Sequence, residues 1–261
     1  MQTRLLTEQY NDTAAVFRGG GLLGIPAETV CGLDAGVSGQ TARYIREKMG
    51  EHTGVTGFGG GGDMTVIGIT GPTGAGKTTA LEVLAEMDFE IVDCDALYYQ
   101  MLRTDEDLRQ SLRDAFGEVF LPDGSLDRRA LAQRVFSDEK ELLKLNGIVF
   151  PAVSAAVKQK IQKCSQKGLA IDAINLVESG MGELCAATVA VTASPAIRLK
   201  RIMARDGLTG EQARARIEAQ KGTDWYRANC TFLLENQEED REVFEALTRS
   251  FFQNLVAMIN K

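Results

Sequence analysis

Apolar positions change period several times along the chain, and the changes mark its elements. TVIGIT (65–70) is a short β-branched run, whereas KTTALEVLAEM (77–87) spaces its apolar residues as a helix does. FEIVDCD (89–95) reads as a second strand ending in acidic residues. Residues 96–163 follow a mostly helical pattern, interrupted by FLPDGSLD, where PDG marks a turn and Ser125 or Asp127 can cap the next helix. LAIDAI (169–174), ATVAVTA (187–193) and TFLLEN (231–236) are three further strand-like runs. Before the last of these, SPAIRLKRIMARDGLTGEQARARIEAQ predicts two polar, basic helices parted at Asp206-Gly207. A charged amphipathic helix closes the chain. Strands alternating with helices predict an α/β fold with a parallel sheet covered on both faces.

Residues 51–63 (EHTGVTGFGGGGD) break the pattern, with six glycines and almost no apolar periodicity. That composition is a connector's. It divides an appendage, residues 1–50, from a larger domain, residues 64–261.

Composition narrows the function classes. The chain has 261 residues, 44% of them hydrophobic and 25% charged, enough to bury a core. A formal net charge of -7 argues against a general binder of nucleic acid or membrane surfaces. No apolar run approaches the ~20 residues of a membrane helix, and the N-terminus lacks the apolar region of a signal peptide. Five scattered cysteines without a CxxC fit a reducing, cytoplasmic setting better than a disulfide framework or zinc site. His52 is the only histidine, so carboxylates, lysines and arginines must carry any catalysis.

Gly71-Pro-Thr-Gly-Ala-Gly-Lys77-Thr78 matches GxxxxGK[ST] and stands between a strand and a helix, as a phosphate loop requires. Its glycines allow the backbone to turn successive N–H groups toward phosphate oxygens, and the following helix adds its positive end. Gly71, Thr73, Gly74, Ala75 and Gly76 form the cradle, with Lys77, Thr78 and Thr79 opening the helix. Lys77 is suited to the β- and γ-phosphates of ATP, and the Thr78 hydroxyl to Mg²⁺.

A kinase acting on a small molecule also needs a base near the acceptor hydroxyl and arginines that cover the transferring group. Asp93 and Asp95 end the second strand, at the edge where open α/β sheets bind ligands. One of them serves as base, while Asp95 is also placed to cap the next helix. Residues 198–221 hold seven basic residues against three acidic ones, the composition of a lid closing over phosphate. Arg205, just before the Asp-Gly break, is the arginine favoured for that contact.

Four segments together resemble the dephospho-CoA kinase family: IGITGPTGAGKTT, VDCDAL, LPDGSLDRRALAQRVFSD and LKRIMARDGLTGEQARARIEAQ, spread over about residues 64–236. The resemblance implies a P-loop NTPase of the nucleoside-monophosphate-kinase-like type, with a five-stranded parallel sheet, a helical substrate region at about 96–163 and a lid at about 198–225. It implies transfer of a phosphoryl group from ATP to the ribose 3′-hydroxyl of dephospho-CoA. In that frame Asp95 is the general base, Thr70 and Arg205 join Lys77 at the phosphates, and Asp93, Asp172 and Glu178 are substrate-side residues. Phe150-Pro151 stands where the family commonly has His-Pro, and the proline of its Asp-Val-Pro segment is missing from Asp172-Ala-Ile. The competing readings are another P-loop kinase for a small molecule or nucleoside, and a non-catalytic nucleotide-binding fusion.

GGGLLGIPAETVCGLDAG (19–36) resembles the start of the threonylcarbamoyl-AMP synthase family, over about residues 2–50. Ala27 replaces a family threonine, and most of that family's sheet has no counterpart here. The expectation for this appendage is a remnant without synthase activity, with a docking or oligomerisation module as the alternative.

Overall fold

The structure, a computed structural model, describes residues 64–135 and 138–260. The appendage and connector read from residues 1–63 therefore lie outside the described residues.

Five strands form one wholly parallel sheet, in the spatial order β2-β3-β1-β4-β5. They are β1 (Thr65–Thr70), β2 (Phe89–Asp93), β3 (Gly168–Asp172), β4 (Ala187–Thr192) and β5 (Phe232–Glu235). Each matches a strand expected from the apolar pattern, although β3 stops two residues early and so does β2. Its end is set by Asp93, whose side chain accepts a hydrogen bond from the Ala96 N–H at 2.9 Å and caps α2 (Cys94–Thr104). The expectation that Asp95 caps this helix is corrected here. Asp95 sits inside the first turn, and the extended geometry assumed for Asp93 and Asp95 ends between them.

Alternation along the strands sends side chains to two separate cores. Val66, Leu169 and Ile171 pack with α2, α3 (Glu106–Phe116), α4 (Arg128–Val135) and α5 (Glu139–Lys163). Ile67, Ile69, Val189 and Val191 pack on the other face against α1 (Lys77–Glu86) and α9 (Arg241–Ile259). Both faces are thus covered, which is what lets a parallel sheet be apolar throughout. Pro151 lies inside α5, where it removes one helical hydrogen bond. Within FLPDGSLD, Phe120 and Leu126 form an antiparallel bridge, and Asp127 rather than Ser125 accepts from the Ala130 N–H at the start of α4.

The expected basic helices are α6 (Pro195–Asp206) and α7 (Gly210–Glu218), followed by a short α8 (Thr223–Asn229). Ser194 caps α6 and Pro195 opens it; Gly207, in the left-handed region, ends it. Thr209 and Gln212 form a capping box for α7. Among the described residues no helix is long and apolar enough to cross a membrane.

Candidate active site

β1 occupies the centre of the sheet, so the loop that follows it emerges at the carboxyl edge between β3 and β4. Chain order reverses across β1, with β2 and β3 on one side and β4 and β5 on the other. Open α/β sheets form ligand crevices at such reversals. Gly71 has φ 140°, and a Cβ there would lie 2.1 Å from the Val191 carbonyl oxygen. Only glycine brings the loop this close to β4. Gly76 has φ 104° and leads into α1 with no side-chain cap. The first N–H groups of that helix are left for an anion.

The outer side of the loop is held by residues distant in sequence. Arg198 Nε donates to the Thr73 carbonyl at 2.9 Å. One Arg201 nitrogen donates to both the Gly74 and Ala75 carbonyls at 3.3 Å, while Asn236 Nδ2 also reaches Ala75 at 3.0 Å. A trans peptide points its C=O and the next N–H in opposite directions. Fixing the Thr73 and Ala75 carbonyls outward therefore turns the Gly74 and Gly76 N–H groups toward the inside of the loop. Gln220 completes the fixation: its Oε1 accepts from the Thr73 N–H at 3.1 Å, and its Nε2 donates to the Thr73 hydroxyl at 2.8 Å.

Lys77 forms an ion pair with Asp172 at the end of β3. Asp172 is in register with Ile69 of β1 on one side and Asp93 of β2 on the other. Burial pushes its carboxyl above the ordinary value of 3.8, against which Lys77 pulls it down. The Thr70 hydroxyl is buried and donates to the Ile174 carbonyl at 3.0 Å, clasping the β1 and β3 loops together. Thr78 is exposed at the helix start.

Three carboxylates gather on the β2–β3 side. Cys94 is fully buried and its thiol is pushed up to about 12, first by burial, then by the charges of Asp172, Asp95 and Asp93. Asp95 lines a small pocket with Phe150, Val153, Ile174, Asn175 and Met181. α5 and the loop after β3 supply most of this wall.

Two of the expected residues are engaged in pairs of their own. Arg205 is bound by Asp206, with Nε and one NH2 group on the two carboxylate oxygens at 2.7 and 3.0 Å. Glu178 pairs with Lys221, whose ammonium also lies 3.6 Å from the centre of the Trp225 ring. Arg198, Arg201, Gln220 and Asn236 were not singled out from the sequence. For the two arginines a signal existed, since 198, 201 and 205 are spaced to share one helix face. Gln220 and Asn236 belong to no recognisable motif.

The geometry is that of a P-loop kinase, and the protein-family model for dephospho-CoA kinase matches residues 65–242. This chain belongs to the dephospho-CoA kinase family. A dephospho-CoA kinase of Dehalococcoides mccartyi is 37% identical over 161 residues, covering 60% of this chain and 81% of that protein. The dephospho-CoA kinase of Mycolicibacterium paratuberculosis is 35% identical over 195 residues, 74% of this chain. The match covers only 48% of that relative and 43% of a Mycobacterium leprae one, so the chain spans about half the length of these two. The crystal structure of TT1252 from Thermus thermophilus has a TM-score of 0.61 at 31% identity, covering 74% of this chain and 98% of that one. Membership of the dephospho-CoA kinase family accounts for the P-loop fold.

Proposed function

We propose that this chain transfers the γ-phosphoryl group of ATP to the ribose 3′-hydroxyl of dephospho-CoA, giving CoA and ADP. One observation carries the reading. A phosphate loop with inward N–H groups and a small pocket lined by Asp95 stand at the ends of neighbouring strands of one sheet, in a chain of the dephospho-CoA kinase family.

Asp95 is the proposed general base. Its carboxylate takes the proton of the 3′-hydroxyl as that oxygen attacks the γ-phosphorus, and the bond to the ADP oxygen breaks. Lys77 and the inward N–H groups hold the phosphates in line, a positioning contribution more than a chemical one. Asp172, already paired with Lys77, keeps that ammonium extended along the β3 edge. Asp93 holds the start of α2, and so the position of Asp95. The proposal gives Arg205 to the transferring group on the family resemblance alone, since Asp206 engages its guanidinium here. Residues 198–225 are the proposed lid, and Glu178 helps anchor it through Lys221.

Oxygen donors suit the hard cation that kinases use. Among the described residues no group of three or more His, Cys, Asp or Glu could hold a metal ion. Thr78, exposed at the start of α1, would hold Mg²⁺ through its hydroxyl, beside oxygens of the bound phosphates. When bound, Mg²⁺ offsets phosphate charge during transfer.

The test is CoA formation from ATP and dephospho-CoA by wild type, Lys77→Ala and Asp95→Asn. Wild type should turn over, and Asp95→Asn should lose roughly 10²–10⁴-fold in kcat while still binding ATP. Normal turnover by Asp95→Asn removes the base assignment. No turnover by wild type removes the function.

A further inference from the structure

Arg198 is only 4% exposed, yet every partner of its guanidinium is neutral. Nε donates to the Thr73 carbonyl, and NH2 donates to Gln220 Oε1 at 2.5 Å. Among the described residues no carboxylate pairs with it. The titratable group that acts on it is the Tyr226 phenol, which burial itself holds protonated. Its place in α6 adds to the difficulty. Ser194 caps the helix and Pro195 opens it, so Arg198 stands one turn from the N-terminus, where the helix dipole is positive and no acidic residue offsets it. Burial pulls the guanidinium down to about 10, from an ordinary 12.5. A cation buried without a countercharge is unfavourable, and its presence calls for an anion elsewhere in the same field.

The phosphate loop is the neighbour that can supply one. Gly74 lies so close to α6 that a Cβ there would come within 3.1 Å of the Arg198 carbonyl oxygen. The Thr73 carbonyl that Arg198 holds belongs to the peptide whose N–H, that of Gly74, points into the cradle. The positive charge therefore sits directly behind the loop, across one peptide from the place a phosphate occupies.

We propose that Arg198 is a positioning residue whose countercharge is the nucleotide triphosphate: it fixes the front of the loop through Thr73 and Gln220, and strengthens anion binding without touching the anion. The inference rests on the reading that this loop takes ATP. It makes the protein less stable without nucleotide in exchange for tighter binding of it, a trade-off that a purely structural arginine does not make.

The test uses the full chain, with Arg198→Gln, which keeps an amide donor for the Thr73 carbonyl but no charge, and Arg198→Lys, which keeps the charge. Two quantities are read: the melting temperature without nucleotide, and the ATP dissociation constant between low and high salt. Arg198→Gln should melt higher than wild type and bind ATP roughly tenfold more weakly, with a shallower salt dependence. Arg198→Lys should retain most of the affinity. An Arg198→Gln protein that melts lower, or fails to fold, overturns the proposal, as does one that binds ATP like wild type. If wild type itself binds no ATP, the nucleotide reading falls first and this inference with it.

Discussion

Lys77, the proposed phosphate ligand, also takes part in folding through its pair with Asp172. Asp172 is 14% exposed and Lys77 22%, so their pairing is screened only in part. In Lys77→Met the carboxylate remains half-enclosed without its partner, at a cost of about 1–3 kcal/mol, below the figure for full burial. The pH dependence has a definite sign. The folded-state value of Asp172 is raised, so the folded protein holds the proton more tightly than the unfolded chain. Stability is therefore lost as pH rises from 3.8 through the folded value. Removing Lys77 removes the influence that lowers that value, which widens the window. The urea midpoints of wild type and Lys77→Met should accordingly draw apart as pH rises from about 4 to about 7. Parallel curves would mean that Asp172 is not the group responsible. From the sequence Asp172 was expected on the substrate side; its pairing with Lys77 depends on β3 lying beside β1, which no local pattern records.

At the scale of elements, helices α1 and α9 pack over one face of the sheet, and two kinds of contact join them. Phe252 of α9 is fully buried in the apolar core that also holds Leu81, Val83 and Leu84 of α1. Arg249 pairs with Glu86, and Arg241 with Glu82, across the exposed sides of the same helices. Burial should decide between them. Phe252→Ala should cost about 3–5 kcal/mol by chemical denaturation, whereas Arg249→Ala should cost less than about 1 kcal/mol, because exposed pairs are screened and hold two long side chains in place. Equal losses would contradict that ordering. The elements themselves were largely legible, since apolar period and capping residues are local. Misreading came at β2, where Asp93 turns the chain into a helix two residues before the acidic run ends. The cap depended on which of two nearby aspartates met an N–H, a matter of backbone direction.

For the molecule as a whole, both sheet faces are covered by elements lying between Thr65 and Ile259. A chain beginning at Met64 should therefore unfold cooperatively within about 4 °C of the full chain, the shift expected from about 1 kcal/mol at this size. It should also keep its ATP-dependent rise in melting temperature. A much larger drop would show that residues 1–63 contribute to the folded core. The family resemblance and the parallel sheet were both readable in advance, because the phosphate loop, the turn and the basic-helix motifs are contiguous stretches. Which arginine of the basic run touches the loop was not readable. Packing of α6 brings Arg198 and Arg201 to Thr73, Gly74 and Ala75, whereas Arg205 was read for a different contact, with the transferring group.

The sequence by itself determined the loop's capacity to curl and the strand and helix around it. Those properties reside in consecutive residues: glycines that accept positive φ, a lysine and threonine opening a helix, and apolar residues at periods of two and 3.6. Only the tertiary structure decided what the loop is fastened to. Its carbonyls meet Arg198, Arg201 and Asn236, more than a hundred residues away, and Lys77 meets Asp172. Those meetings follow from the strand order β2-β3-β1-β4-β5, which sets β3 and β4 on either side of β1. Backbone conformation is chosen by near neighbours, whereas the partner of a buried polar group is chosen by whichever distant element the sheet brings beside it.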